Sequence, residues 1–226
     1  MNYWQQFLWV IFPYLMLVTF FVGHIYRYET GQNGWTARSS EFLAKKTLKW
    51  GSILFHWGIV IAFIGHVGGI VIPEEFLTKL GISEALYHLG SKWIGGVAGL
   101  MAIAGILLLL ARRLAVRRIR VTGSAGDLAI VILLVLVVGS GVFNTFGYTW
   151  AGGSFNYREV IGPWFRSVLL FRPDASLMSK APLSFQFHIL GAISLFGLWP
   201  FTRLVHVWSL PLKYFGRSYI VYRRVN

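Results

Sequence analysis

The chain has 226 residues, of which 56% are apolar and only 13% are charged. Ordinary soluble domains carry about 25% charged residues, so this composition excludes a free soluble enzyme and, equally, a disordered chain. The lack of cysteine excludes disulfides, thiolate-bound zinc, thioether-attached haem and iron–sulfur clusters held by this chain. The formal charge of +13 would suit a nucleic-acid binder, but the basic residues stand between long apolar runs, as in membrane proteins. We therefore expect membrane lipid, and no nucleic acid, around this chain.

An all-α integral membrane bundle of five transmembrane helices is the predicted fold. A helix needs about 20 mostly apolar residues to cross the hydrocarbon core. Five segments meet this requirement, with approximate bounds Phe7–Tyr26, Leu48–Ile72, Trp93–Ala111, Leu128–Phe146 and Phe185–Leu210. Asp127 is the predicted N-cap of the fourth segment. We expect residues 1–226 to form a single membrane domain with a basic C-terminal tail.

The basic residues predict the orientation of the bundle. Most of the 21 Lys and Arg residues fall in the first connection, in the third connection and in the C-terminal tail. The positive-inside rule then places the N-terminus outside and the C-terminus in the cytoplasm. The expected location is the bacterial cytoplasmic membrane, which the chain crosses several times.

Four histidines lie inside the predicted spans, His56 and His66 in the second, His188 and His206 in the fifth. Ionisable groups at membrane depth are costly and mark functional sites by default. Because these two spans run antiparallel, depth pairs His66 with His188 near the outer face and His56 with His206 near the cytoplasmic face. In continuous helices the two sites would be separated by about 21 Å, so one metal ion cannot bridge them. His188 and His206 would share one face over five helical turns, whereas His56 and His66 would be offset by about 80°.

Two imidazoles are too few for zinc, which takes at least three protein ligands in catalytic sites. A haem supplies four nitrogens itself and needs only one or two axial ligands, so a bis-histidine b haem fits each pair. We therefore predict two b haems with His56, His66, His188 and His206 as the axial ligands. Haem propionates need cations, and Arg112, Arg113 and Arg203 are candidates near the cytoplasmic side. Two haems at different depths would carry electrons across the membrane, with quinol as the lipid-soluble donor.

Several stretches of the chain resemble the gamma subunit of membrane-bound respiratory nitrate reductase, and the likeness is closest to Gram-positive members. These stretches are Gly23–Tyr28, Gly34–Ser40, Phe55–Gly58, Gly65–Gly69, Phe171–Asp174 and Pro200–Pro211. The resemblance covers nearly the whole chain. It implies two b haems, with His56 and His206 on the cytoplasmic-side haem and His66 and His188 on the outer-side haem, which agrees with the pairing by depth.

The resemblance also implies a quinol-oxidising electron-transfer subunit whose expected substrate is menaquinol. Its partners would be an iron–sulfur beta subunit and an alpha subunit with a molybdenum cofactor, both on the cytoplasmic side, where nitrate would be reduced. The candidates for the quinol pocket are Gly65, Gly69, Tyr87 and His88, and His88 in the outer loop could take a quinol proton. Some members of the family use a lysine in this loop, where the present chain has Tyr87 or His88.

Three other functions are compatible with parts of this pattern. A related haem b subunit could serve a complex that handles sulfur compounds or heterodisulfides. A transporter or proton channel could use the histidines as a proton relay. A structural anchor would hold a soluble enzyme at the membrane without exchanging electrons with quinol.

Overall fold

The computed structural model of the chain describes residues 2–31 and 45–209. It confirms the all-α architecture with five helices that are long and apolar enough to cross a membrane. Their bounds are Tyr3–Gly31, Lys45–Val71, Glu84–Ala115, Ala125–Gly147 and Leu183–Phe201, and we call them the first to fifth spans. The basic tail and the resemblance motif at Gly34–Ser40 lie outside the described residues. The sides of the membrane on which the termini lie, and the single domain over residues 1–226, stay predictions.

The starts of two spans differ from the predictions. Ser124, not Asp127, is the N-cap of the fourth span, because its hydroxyl accepts a hydrogen bond from the Asp127 amide while the Asp127 carboxylate accepts one from the Ser124 amide. The third span begins well before Trp93, at Glu84, because the Ser83 hydroxyl accepts a hydrogen bond from the Leu86 amide. The prediction that His88 lies in a loop is therefore wrong, and His88 lies on the first turns of this helix.

The fifth span is shorter and more irregular than predicted. A regular helix covers Leu183–Leu198, a 3₁₀ turn follows at Trp199–Phe201, and Thr202 is extended. A second 3₁₀ segment, Arg203–Ser209, carries His206. Pro200 explains the interruption, since it has no amide hydrogen to donate and its ring crowds the preceding turn. The expectation that His188 and His206 share one face of a continuous helix is therefore wrong.

Glycines allow close packing between the second and third spans. A Cβ on Gly58 would lie 2.6 Å from the Ala102 amide nitrogen and from the Ala98 carbonyl oxygen. A Cβ on Gly105 would likewise collide with the backbone of the second span at Phe55. The fifth span packs against the first and the fourth instead. The two histidine-bearing spans thus pack against different neighbours, and their histidines face each other across the bundle.

An amphipathic helix at Tyr157–Leu169, which the sequence analysis did not predict, crosses one end of the bundle. Its Trp164 indole donates to the Trp9 carbonyl at 3.0 Å and is buried against the Trp9 ring. Its Arg166 donates to the Ile70 carbonyl at 2.9 Å, in the π-helical turn that closes the second span. This helix therefore fixes the end of the second span just beyond His66. We call this end of the bundle, where the first span begins, the N-terminal end.

Candidate functional site: two histidine pairs

The first pair, His66 and His188, lies at the N-terminal end of the bundle. The two ring centroids are 6.0 Å apart and the ring planes are inclined by only 27°. Gly141 of the fourth span lies against the His188 ring, where a Cβ would be 3.0 Å from Cε1. The glycine therefore lets the fourth span approach the imidazole closely.

The second pair, His56 and His206, lies toward the opposite end. The ring centroids are again 6.0 Å apart, but the planes are inclined by 79°. His56 is on the regular helix of the second span and His206 is on the 3₁₀ segment beyond Thr202. The structure thus brings together the same two pairs that depth in the membrane predicts.

In all four rings the Nδ1 atom is satisfied by a backbone carbonyl, and the acceptors are Ala62, Ser52, Val137 and Arg203, at 2.6 to 2.9 Å. A carbonyl only accepts hydrogen bonds, so each Nδ1 carries the proton and each Nε2 keeps its lone pair. Metal-binding histidines show this arrangement, in which a hydrogen bond from the second ring nitrogen fixes the tautomer and the ring orientation.

Pairs at this distance can bind one metal ion between their Nε2 atoms. Iron bonded to two imidazoles would place the ring centroids about 6 Å apart, because each metal–nitrogen bond is about 2 Å and each nitrogen lies about 1 Å from its ring centroid. Among the described residues, no group of three or more His, Cys, Asp and Glu side chains could complete a shell around a bare ion. The donor set therefore suits a metal whose other ligands come from a macrocycle.

Three arginines gather near the His206 end of the bundle, around a single carboxylate. Asp127 lies 3.5 Å from Arg113 and 3.6 Å from Arg203, while Arg112 is close enough to Arg203 for their charges to repel. The Arg203 Nε is buried and finds no hydrogen-bond acceptor within the described ranges. The Arg203 Nε is the atom that faces Asp127, 3.6 Å from its Oδ1, so the region combines three guanidinium groups with the carboxylate of Asp127.

The structure brings the quinol candidates together around the end of the second span. The Tyr87 hydroxyl donates to the Gly65 carbonyl at 3.3 Å, and a Cβ on Gly69 would collide with the same hydroxyl oxygen. A Cβ on Gly65 would meet no atom within 4 Å, so the space beside this residue is open. His88 follows Tyr87 on the helix and packs its ring against Tyr157 of the amphipathic helix, with centroids 6.0 Å apart.

Two charged residues in this region were missed by the sequence analysis. Arg158 is buried and forms an ion pair with Glu84, which also lies 2.9 Å from His88. The spacing of Glu84 and His88 by four residues is a signal for contact on a helix, but the helix start at Ser83 had not been predicted. No sequence pattern indicated that Arg158 would reach them from another helix.

An all-helical, multi-pass membrane protein with two facing histidine pairs is the class that this fold and site define. The family model of the nitrate reductase gamma subunit matches residues 5–225, and the chain belongs to this family. It is 53% identical to the nitrate reductase gamma chain of Bacillus subtilis, over 97% of this chain and 98% of that protein. It is therefore a multi-pass protein of the cell membrane, as predicted.

More distant relatives agree with this assignment. The chain is 34% identical to the respiratory nitrate reductase 2 gamma chain of Escherichia coli, with 98% of both chains covered. It is 38% identical to the nitrate reductase-like protein NarX of Mycobacterium tuberculosis, over 95% of this chain but only 33% of that protein. These relatives favour nitrate reductase over a sulfur-compound or heterodisulfide complex.

Proposed function

We propose that this chain is the dihaem b subunit of a respiratory nitrate reductase. In this proposal it oxidises quinol near the outer face and passes the electrons to an iron–sulfur beta subunit on the cytoplasmic side. Nitrate itself would be reduced on the alpha subunit, which carries the molybdenum cofactor. The observation that carries the proposal is the geometry of the two histidine pairs, each with its rings 6.0 Å apart.

The residues present fit two b haems. His66 and His188 would be the axial ligands of one haem, and His56 and His206 those of the other. Each bound haem would supply reversible one-electron chemistry. The protein contributes the ring orientation, since the backbone carbonyls hold every Nδ1 and leave every Nε2 for the iron.

Arg112 and Arg203 would bind the propionates of the haem held by His56 and His206. The support for this is the position of Arg203, three residues before His206 in the same 3₁₀ segment, and the nearness of Arg112 to Arg203. A propionate would add negative charge beside these cations and accept charge-assisted hydrogen bonds from them. Arg113 donates to the Ser124 carbonyl at 3.0 Å in addition to its ion pair with Asp127.

Quinol, with menaquinol expected, would bind beside Gly65, Gly69, Tyr87 and His88. The support is the open space at Gly65 and its position next to His66 in the chain. The orientation proposed here puts this N-terminal end outside, so that the two protons of quinol are released there while the electrons move inward. Inward electron transfer would then be electrogenic, at about 2.3 kcal/mol per charge for each 100 mV.

Purified protein tests this proposal directly. A reduced-minus-oxidised spectrum with a pyridine haemochrome assay should give two b haems per chain, and a short-chain naphthoquinol should reduce them. Protein without haem would contradict the redox function and favour the proton-relay alternative. Haem that dithionite reduces but quinol does not would favour a structural anchor.

A further inference from the structure

A cluster of charged and polar side chains adjoins the proposed quinol pocket and has no role in haem binding. It consists of Glu84 and His88 at the start of the third span, and of Asn156 and Arg158 at the start of the amphipathic helix. Tyr87 connects the cluster to the pocket, because its hydroxyl reaches the Gly65 carbonyl and its ring lies under the Arg158 guanidinium, 4.1 Å from the centroid. We call these four residues the Glu84 cluster.

Arg158 holds Glu84 in place. The Arg158 side chain is only 2% exposed, and its Nη1 donates to the Glu84 Oε2. Its Nε and Nη2 atoms are buried without an acceptor in the part of the chain that the structure describes. A buried guanidinium needs a counter-charge, and here the carboxylate of Glu84 supplies it. Glu84 is therefore kept as a fixed carboxylate.

The second carboxylate oxygen of Glu84 is directed at His88. Glu84 Oε1 lies 2.9 Å from the His88 Nε2 and also accepts a longer hydrogen bond, of 3.4 Å, from Asn156 Nδ2. A carboxylate beside one ring nitrogen holds the proton on that nitrogen, so the other nitrogen keeps its lone pair. Acid–base dyads in enzymes orient a proton-accepting imidazole in this way.

We propose that Glu84 is the positioning residue that makes His88 the proton acceptor for quinol oxidation. This inference rests on the proposed function. Each quinol loses two O–H protons and two electrons as it becomes quinone. A haem held by His66 and His188 would be the one-electron acceptor for both electrons in turn. Each proton moves to the free ring nitrogen of His88 and leaves for outside water before the next is accepted.

The surroundings of His88 suit a group that exchanges protons with water. Its side chain is 37% exposed, whereas that of Glu84 is 28% exposed and that of Arg158 is buried. Within residues 2–31 and 45–209, the titratable groups that face it are Glu84 and Tyr87 of its own helix, and Tyr157 of the amphipathic helix, beside which Arg158 lies. Glu84 is the carboxylate in direct contact with the imidazole.

Stopped-flow reduction of the haems by a short-chain naphthoquinol tests the inference in the complete complex. We expect His88→Gln, which leaves the Glu84–Arg158 ion pair intact, to lower the maximal rate about 100-fold, the typical contribution of a general base. The half-saturating quinol concentration should change less than threefold. In His88→Ala, added imidazole should restore the rate at least tenfold, which a merely structural role would not allow.

Variants of Glu84 test whether this residue positions His88 or only stabilises the folded protein. We expect Glu84→Gln to lower the maximal rate about tenfold or more, and Glu84→Asp to recover part of it. Glu159→Gln is the matched control, because Glu159 also accepts a hydrogen bond from Asn156, at 2.7 Å, but does not contact His88 among the described atoms; its rate should stay at the wild-type value. Binding of the naphthoquinone by isothermal titration should be unchanged in all variants that hold two haems.

The possible results test this inference and the proposed function separately. A wild-type complex whose haems are reduced by dithionite but not by quinol overturns the proposed function itself. A wild-type complex that quinol reduces, with His88→Gln at the same maximal rate, overturns only the role of His88 and Glu84. If Glu84→Gln does not fold, the His88 variants and the imidazole rescue decide the question alone.

Discussion

The two histidine pairs use the same donor groups but are built from different kinds of backbone. His66 and His188 both lie on regular helix, and their rings are nearly parallel at 27°. His206 lies on a 3₁₀ segment after an extended residue, and its ring is inclined by 79° to that of His56. Equal ring separation at both sites therefore does not require equal secondary structure.

The two pairs are also held in place by different parts of the molecule. His188 is held by the fourth span, where the Val137 carbonyl and the Ser140 hydroxyl both contact its Nδ1. The segment that carries His206 is held by the first span instead. Arg27 donates to the carbonyls of Pro200 and Thr202, and the Trp208 indole donates to His24 Nε2 at 3.1 Å. Hydrogen bonds from a neighbouring regular helix orient the His188 ring directly. Hydrogen bonds from the first span instead hold the irregular backbone segment that carries His206.

The largest effects should come from removing one ligand of either pair. We expect His188→Ala or His66→Ala to reduce the haem content from two per chain to one and to spare the haem of the other pair. His206→Ala should remove the haem held by His56 and His206 and spare the haem held by His66 and His188, because each haem would lose only its own ligand. Pyridine haemochrome content and low-temperature spectra measure this outcome.

Ser194→Ala is the control for these ligand variants. Ser194 lies on the same span as His188, and its hydroxyl donates to the Leu190 carbonyl at 2.7 Å. This variant should keep both haems. Loss of the His56–His206 haem in His188→Ala, with the other haem retained, would show that the assigned pairing is wrong.

The sequence was sufficient for the features that depend on local hydrophobicity and depth. Apolar runs predicted five spans, and the antiparallel order of the spans predicted which histidines meet. Features that depend on contacts between residues far apart in the sequence could not be predicted from hydrophobicity and depth. Pro200 is evident in the sequence. The conformation of the segment that follows it, however, depends on hydrogen bonds from Arg27, which lies far away in the sequence.

The polar residues at the N-terminal end show the same limit. Gly65, Gly69, Tyr87 and His88 were predicted as candidates for the quinol pocket that the family resemblance implies, and the structure brings them close together. The Arg158–Glu84 ion pair joins residues 74 positions apart, and no periodicity within either segment indicates such a contact. Asp127 was misassigned as an N-cap because Ser124 and Asp127 both have capping side chains, and only geometry distinguishes the two roles.

A second, smaller effect should come from Arg27→Gln. This change removes the charge-assisted hydrogen bonds to the Pro200 and Thr202 carbonyls, which are worth about 1.5–3 kcal/mol each. We expect the spectrum and potential of the His56–His206 haem to change while those of the other haem stay the same. Redox titration followed by optical spectra measures both. An equal change in both haems would contradict the view that Arg27 acts on the His56–His206 pair through the irregular segment.

Trp208→Phe should have a weaker effect on the same pair. The change removes the hydrogen bond to His24 but retains an aromatic ring beside Phe20, so the cost should be about 1 kcal/mol. We expect thermal loss of the His56–His206 haem at a lower temperature, followed by absorbance. Trp93→Phe, at an exposed position on the third span, is the matched control and should leave this temperature unchanged.

The smallest effect should come from Ser140→Ala at the helical pair. The Ser140 hydroxyl lies 3.1 Å from His188 Nδ1 and donates to the Val137 carbonyl at 2.8 Å. The Val137 carbonyl remains as the acceptor for His188 in the variant, so the ring keeps its tautomer. We expect the potential of the His66–His188 haem to shift by less than about 60 mV, which is tenfold in a one-electron equilibrium. A larger shift would mean that the hydroxyl, rather than the Val137 carbonyl, orients this ring, and the contrast between a ring held by the backbone of a neighbouring helix and a segment held by the first span would then be lost.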